Sequence, residues 1–548
     1  MNPIHPLLND DVLSQILQEL QSARGVVPVS MTCRWLREAC KPFIFAKVIR
    51  KVPRPYEPYE RFMPSTIWPY IRDLTIIDEC LDKTVGYEEF LGRRRNGRVF
   101  RLLYAENPYV CGVLCGPWFE HVLQHMPAMR TLSFNMRRNL IHGISWSTLK
   151  TVLSLPHIRG LVLSGPIFCP AKLPSDNLHL EYCSCLTSFR YEVWESRNVY
   201  PLGSAEGQAL STVLSRLHNS LETLVLPSEP APLLAMSAWE WPNLRELRLR
   251  GAQWTYPTSP CTILFSNMPR LRILVLELTL PHSDQLWRNK EPIAGGASAQ
   301  MLSPPELTAS SSFPWPELQH LALSHPRVGD GLYDCLPLSV HTLTLFCCPH
   351  KFQRRWLEHT FRRFDYAMLT SSEMFSVLRR SRLPNLTELE LEYDADAGER
   401  DMLRYLAVAF PRLRRLTLIR YRLEGETDHM VMDIVASSLA DLAHLRTLTL
   451  YLDLSTTPLP KVNWLGGNYM YYDEVQLDEF TDCLQMIATA LARALSNSLE
   501  TIFLWRPVSM SSMMQWVPFC VSHSSRDGQE TFEVEQRGET SSAIMAGL

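Results

Sequence analysis

Apolar positions recur along this chain in a single frame. In Pro242-Asn243-Leu244-Arg245-Glu246-Leu247-Arg248-Leu249 a proline and a spacer precede apolar-x-x-apolar-x-apolar. The frame returns after Pro69 (Ile71, Leu74, Ile76), Pro127 (Met129, Leu132, Phe134), Pro156 (Ile158, Leu161, Leu163) and Pro269 (Leu271, Leu274, Leu276). It returns again after Pro316 (Leu318, Leu321, Leu323), Pro384 (Leu386, Leu389, Leu391) and Pro411 (Leu413, Leu416, Leu418). Copies without proline stand at Leu221/Leu224/Leu226, Val340/Leu343/Leu345, Leu445/Leu448/Leu450 and Leu499/Ile502/Leu504. Chance would supply roughly one proline-led copy in a chain of this composition; eight are present, so the repeat is real.

Apolar-x-apolar is a short strand of period two whose leucines point to one side. The earlier apolar residue turns into the same core, and the proline sits outside the ladder, where its missing N–H costs nothing. Between copies lie stretches of helical period, such as residues 208–217 (Leu210, Val213, Leu214, Leu217) and 432–442. One strand and one helix cannot bury a core alone, so the units must stack. The predicted fold is α/β: a curved solenoid with parallel strands on a concave face and helices outside. In this frame the chain resembles the leucine-rich repeat family, although the Asn or Cys usual after the last Leu is mostly absent. Successive central residues Leu132, Leu161, Phe189, Leu224, Leu247 and Leu274 are spaced unevenly, and later gaps of 47, 46 and 54 are expected to hold insertions or worn units. The array is expected over residues 67–510, with insertions at about 283–314 and 458–479 and a loose tail at 522–548.

Residues 1–50 follow another pattern. Asn9, Asp10 and Asp11 offer capping side chains, and Leu13, Ile16, Leu17 and Leu20 then make one apolar stripe. A second helix is expected from Val26 to Cys40, entered near Pro28 and stopped before Pro42. An apolar run (Phe43 to Val48) and a proline-rich link at 51–66 follow. So small a helical unit has too little core to stand alone. Leu8-Asn9-Asp10-Asp11-Val12-Leu13-Ser14-Gln15-Ile16-Leu17-Gln18-Glu19-Leu20 resembles the opening of the F-box family, L-P-x-E-[IL]-L-x-x-I-[LF]-x-x-L. Ser30-Met31-Thr32-Cys33-Arg34 is similar to its S-x-V-C-[KR], and Lys41-Pro42-Phe43-Ile44-Phe45 to a tail found in fungal members. Asn9, Thr32 and Leu36 depart from that pattern. The resemblance implies docking to the helical adaptor Skp, and through it to a cullin, in an SCF-type ubiquitin ligase. The expected adaptor-binding residues are Leu8, Val12, Leu13, Ile16, Leu17, Leu20, Val29, Cys33 and Leu36. The alternative is a non-catalytic leucine-rich-repeat scaffold whose F-box-like cap does not bind the adaptor.

Composition narrows the picture. With 46% hydrophobic and 20% charged residues the chain reads as a folded soluble protein. A net charge of −3 argues against a nucleic-acid binder. Fourteen cysteines are scattered without paired zinc spacing, which fits reduced thiols. No run of some 18 apolar residues exists, so the expected location is cytoplasmic or nuclear, away from membranes. Nucleophile elbow, P-loop, dinucleotide fingerprint and metalloprotease helix are all missing, so no enzyme, cofactor or metal is expected. His121 and His125, at i and i+4, lack a third ligand, and Asp394-Ala395-Asp396 reads as a turn. A target protein is expected on the concave face at Arg248, Arg250, Glu277, Phe346, Glu390, Glu392, Thr417, Thr449 and Tyr451, positions that alternate with buried leucines. The sign there changes from basic near 248 to acidic near 390, which suits a protein partner of matching pattern.

Overall fold

The computed structural model describes residues 10–22, 25–54, 62–80, 110–114, 117–136, 143–165, 168, 186–193, 203–254, 259–280, 313–352, 368–459, 461–463, 469–495, 497–508, 515–526 and 529–536. The fold is α/β with a mostly parallel sheet. The chain divides into two compact units, Met1–Gly251 and Ala252–Leu548.

The first unit opens with helices α1 (Asp10–Ser22), α2 (Val26–Ser30) and α3 (Arg34–Ile44). Seven strands follow: β1 (Lys47–Val52), β2 (Asp73–Asp78), β3 (Thr131–Asn135), β4 (Gly160–Ser164), β5 (Ser188–Glu192), β6 (Thr223–Pro227) and β7 (Glu246–Ala252). They pair in parallel in chain order. Between them stand α4 (Pro117–Gln124), α5 (Trp146–Ser154), α6 (Gly203–Leu217) and α7 (Leu233–Ala238). The repeated frame sets the register: Leu74, Leu132, Leu161, Phe189, Leu224 and Leu247 lie side by side, all fully buried. Leu210, Val213, Leu214 and Leu217 of α6 are fully buried too, as their spacing predicts.

The second unit repeats the plan. Its parallel strands are β8 (Ile273–Thr279), β9 (His320–Ser324), β10 (Thr342–Phe346), β11 (Glu388–Asp394), β12 (Arg415–Tyr421), β13 (Thr447–Leu452) and, beyond a small antiparallel pair β14 (Lys461–Asn463) and β15 (Tyr469–Tyr471), β16 (Thr501–Arg506). Its helices are α8 (Cys261–Leu264), α9 (Leu332–Cys335), α10 (Ser371–Arg380), α11 (Glu399–Ala409), α12 (Asp428–Leu439) and α13 (Glu474–Ala494). Two unbroken rows of apolar side chains cross it. One runs Leu274, Leu321, Leu343, Leu389, Leu416, Leu448, Ile502; the other runs Leu276, Leu323, Leu345, Leu391, Leu418, Leu450, Leu504. No member of either row is more than 2% exposed.

The frame also builds a regular hinge of hydrogen bonds. At most entries to the parallel strands two successive N–H groups donate to one carbonyl of the preceding entry. Arg159 and Gly160 both donate to Arg130, for example, and Arg414 and Arg415 both donate to Thr387. This doubled donation turns the backbone from the first apolar residue into the strand while leaving neither N–H unsatisfied.

Several expectations need correction. The ladder begins with β1, inside the stretch assigned to the helical domain and link; Lys47-Val48-Ile49-Arg50-Lys51-Val52 alternates but lacks the leucine frame that would reveal it. The second N-terminal helix is two helices. Cys33 is extended (φ −155°) and its Sγ accepts from the Leu36 N–H, which ends α2 and starts α3, while Pro42 lies inside α3 rather than beyond it. The long gaps after Leu274, Leu343 and Leu448 hold insertions rather than worn units of the ladder, since the frames on either side pair directly. Finally, residues from 522 do not begin a loose tail. β17 (Gln515–Arg526) and β18 (Gln529–Gln536) extend the ladder antiparallel to β16, with Trp516, Val517, Phe519 and Val521 buried. The expected insertion at 458–479 is also shorter at its end, since α13 already starts at Glu474. Leu8, the expected insertion up to 312 and the tail beyond 536 lie outside the described residues.

Candidate functional site

Two regions present side chains that the chain's own packing does not consume. The first is the N-terminal helical cluster. Its small core gathers Leu13, Leu17, Val26 and Cys40, with Leu20, Val29, Trp35, Leu36 and Phe43 half-buried around it. Of the expected adaptor contacts, Leu13 and Leu17 are therefore interior. Val12 and Ile16, one helical turn apart on α1, are 48% and 46% exposed, as are Val27 (54%) and Met31 (74%) at α2. Cys33 is exposed but serves as the cap of α3. A cleft of about 540 Å³ separates α1 from α3, lined by Leu13, Leu17, Ala39, Phe43 and Arg72 among others. The apolar spacing alone could not tell the inward residues from the outward ones, because the stripe is wide enough to serve both sides.

The second region is the face of the second unit turned away from its leucines. The loop after β10, residues 347–352, folds over that face through a cis Cys348–Pro349 bond. Glu392 of β11 holds it down. Its carboxylate accepts from the Cys347 N–H (2.7 Å), the Lys351 N–H (2.9 Å), His350 Nδ1 (2.7 Å) and the Tyr421 hydroxyl (2.9 Å). Tyr421 in turn accepts from the Phe352 N–H at 3.0 Å. Burial by itself would raise the Glu392 pKa, but the His350 charge and these donors outweigh it and hold the carboxyl below its ordinary range. For His350 burial works downward, and Glu392 more than reverses it, so the imidazole titrates above its ordinary value.

The pinned loop carries an aromatic wall. His350 stacks on Phe352 (5.2 Å, 8°), Phe352 stacks on Tyr451 (4.7 Å, 25°), and Trp505 meets both Phe352 and Tyr451. Ile419, Tyr421 and Trp516 complete the cluster. Lys351 lies over the Tyr421 ring at 4.8 Å and pairs with Asp394.

The predicted partner-binding residues now separate. Phe346, Glu392 and Tyr451 are buried in this arrangement, so they shape the face rather than lie open on it. Glu277, Glu390, Thr417 and Thr449 are half-buried and face outward. In the first unit Arg248 bonds Glu246, while Arg250 is exposed.

Other candidate chemistry resolves into structure. His121 and His125 meet at 4.1 Å with their rings tilted by 43°, beside Trp68, and His125 Nδ1 bonds the His121 carbonyl. Asp396 accepts from Ser371, Ser372 and the Gly398 N–H; although burial opposes it, those bonds bring its pKa down to about 2, as suits a turn that caps α10. Sequence spacing missed one grouping. Asp78, Cys80 and Cys111 are buried, with ligand-capable atoms within 4.8 Å of one another. The Cys111 thiol is pushed well up by its hydrogen bond with Cys80, by burial and by Asp78, so it stays protonated. No protein-family model matches the chain, and no curated protein matches it either.

Proposed function

We propose that this chain is a non-catalytic, substrate-recognition subunit of an SCF-type ubiquitin ligase, built as an F-box followed by leucine-rich repeats. The N-terminal helices dock a Skp-type adaptor, and the open strand faces hold a target protein. The gain in rate is proximity, since the target's lysines are kept near the recruited conjugating enzyme. The observation that carries this reading is the apolar surface of Val12, Ile16, Val27 and Met31 on a helical unit whose core is already closed by other residues. Covering these partly exposed side chains contributes about 1 kcal/mol each, a favourable share of the docking energy. A cytoplasmic or nuclear setting accompanies it: the ten described cysteines are all free thiols, and no described helix is long and apolar enough to cross a membrane.

Co-purification of the full chain with a Skp-type adaptor tests the proposal. Ile16→Asp and Val12→Asp are expected to abolish it while the circular dichroism stays unchanged, because both positions are solvent-facing. Leu17→Ala is expected to lose about 2–5 kcal/mol from the helical cluster itself and is the wrong probe of docking. A wild-type chain that brings down no adaptor would leave the scaffold reading in its place.

A further inference from the structure

Along the outward side of the second unit the register lines up one row of side chains: Val275, Ala322, Thr344, Glu390, Thr417 and Thr449. Small residues flank Glu390 on both sides, so the row is a shallow lane with one carboxylate in its floor. The next row rises beside it as the aromatic wall, with Phe346 at its base and His350, Phe352 and Tyr451 above. From β9 to β13 the lane crosses four strand spacings, roughly 19 Å, the span of about six extended residues.

Charge decides what fits there. The charged and titratable groups facing Glu390 are Glu277 on β8, His320 on β9, Glu388, Glu392 and Asp394 on its own strand, Arg415 on β12, and His350 and Lys351 in the loop. The neighbouring cations are each engaged by another carboxylate: Arg415 by Glu388 at 3.0 Å, Lys351 by Asp394, and His350 by Glu392. Among the described residues the Glu390 side chain makes no hydrogen bond or ion pair. A half-buried carboxylate with no partner is costly unless something compensates it.

We propose that this recess receives a lysine or arginine side chain carried by an extended segment of the partner protein. Glu390 supplies the counter-charge, and the aliphatic stem lies along the small residues Thr344 and Thr417 on either side of it. The inference rests on the reading that the strand face holds a partner, and it names that partner's chemistry. Burial pushes the Glu390 carboxyl up, with Glu392 and Glu277 adding and His350 opposing, to about 7. Near neutral pH the free site is thus partly protonated. A cation binds the ionised form, so the carboxyl proton leaves to solvent on binding, and affinity rises with pH.

The test uses the full chain and three octapeptides of glycine, serine and threonine, with a central lysine, arginine or norleucine. Titration calorimetry is run at pH 6, 7 and 8 in two buffers of different ionisation heat. The lysine and arginine peptides are expected to bind at least tenfold more tightly than the norleucine peptide. Affinity should rise about tenfold from pH 6 to pH 8, following the ionised fraction, with proton release at pH 7. Glu390→Gln should lose that preference and most of the proton release with its circular dichroism intact; the His350 share of the pH dependence should remain. Equal binding by Glu390→Gln, or no binding of either cationic peptide to the wild type, overturns the inference. Adaptor co-purification of the same Glu390→Gln protein stays normal if the subunit reading holds. The two proposals therefore fail separately.

Discussion

Replacing Arg420 by methionine is expected to destabilise the second unit by about 3–5 kcal/mol. Arg420 occupies an inward position of β12, two residues beyond Leu418, and its side chain is fully buried. Its guanidinium forks onto Glu399 of α11 (2.7 and 2.7 Å) and reaches Glu426 (2.9 and 2.8 Å). Glu399 also accepts from the Tyr393 hydroxyl at 2.9 Å. Methionine fills much of the volume but strands two carboxylates with no cation, and it is the stranded charge that costs. Arg415→Met is the contrast, because its pair with Glu388 is exposed (66% and 39%) and should cost no more than about 1 kcal/mol. Urea denaturation followed by tryptophan fluorescence reads both. A shift for Arg420→Met no larger than that for Arg415→Met would sink the account. Removing all three charges together (Arg420→Met, Glu399→Gln, Glu426→Gln) should recover much of the loss.

Glu392→Ala is the second large effect. It leaves the Cys347, Lys351, His350 and Tyr421 donors without their acceptor, and each orphaned buried donor costs about 1–3 kcal/mol. A loss on the order of 3 kcal/mol or more is expected, concentrated in the loop at 347–352. Hydrogen exchange of the Cys347 and Lys351 amides should accelerate far more than that of β11 itself. The same pair sets a pH window. Glu392, held below its ordinary 4.5, contributes stability that is present above that value and lost as pH falls through its folded pKa. His350, held above its ordinary 6.5, contributes stability that is present below that value and lost as pH rises through its folded pKa. Protection of the loop, corrected for intrinsic exchange, should therefore peak between about pH 4.5 and 6.5. His350→Gln should flatten the alkaline side and move the acid limb upward, because the His350 charge helps hold the Glu392 carboxyl low. A wild-type profile that climbs steadily to pH 8 contradicts this arrangement.

The leucine frame was readable because strand period and neighbour register are local properties that repeat: Leu389 predicts its own burial, and Leu416 stands beside it for the same reason. Where the frame is missing, as in β1, or where alternation is interrupted by Pro518 in β17, periodicity fails though the backbone still pairs. Glu392 and Arg420 were beyond the reach of pattern. Glu392 occupies an outward position and would face solvent in an average repeat; loop residues 41 to 45 positions earlier in the chain bury it. Arg420 breaks the apolar rule at an inward position, and its partners come from the start of α11 and the turn before α12. The half-open state of Glu390 is of the same kind, since neighbouring small residues and distant aromatics create it together.

A stacked sheet must stop somewhere, and unpaired backbone at its end invites other chains to add on. In the first unit the terminal strand is β1, where Lys47, Arg50 and Lys51 are exposed beside Ile49, so an incoming strand meets like charges. In the second unit the hairpin of β17 and β18 covers β16 and puts Glu533 and Glu535 outermost. A chain shortened to end at 514 would bare the β16 backbone next to Phe503 and Trp505. It should form concentration-dependent oligomers by light scattering that the full chain does not, which makes this hairpin a guard against self-assembly.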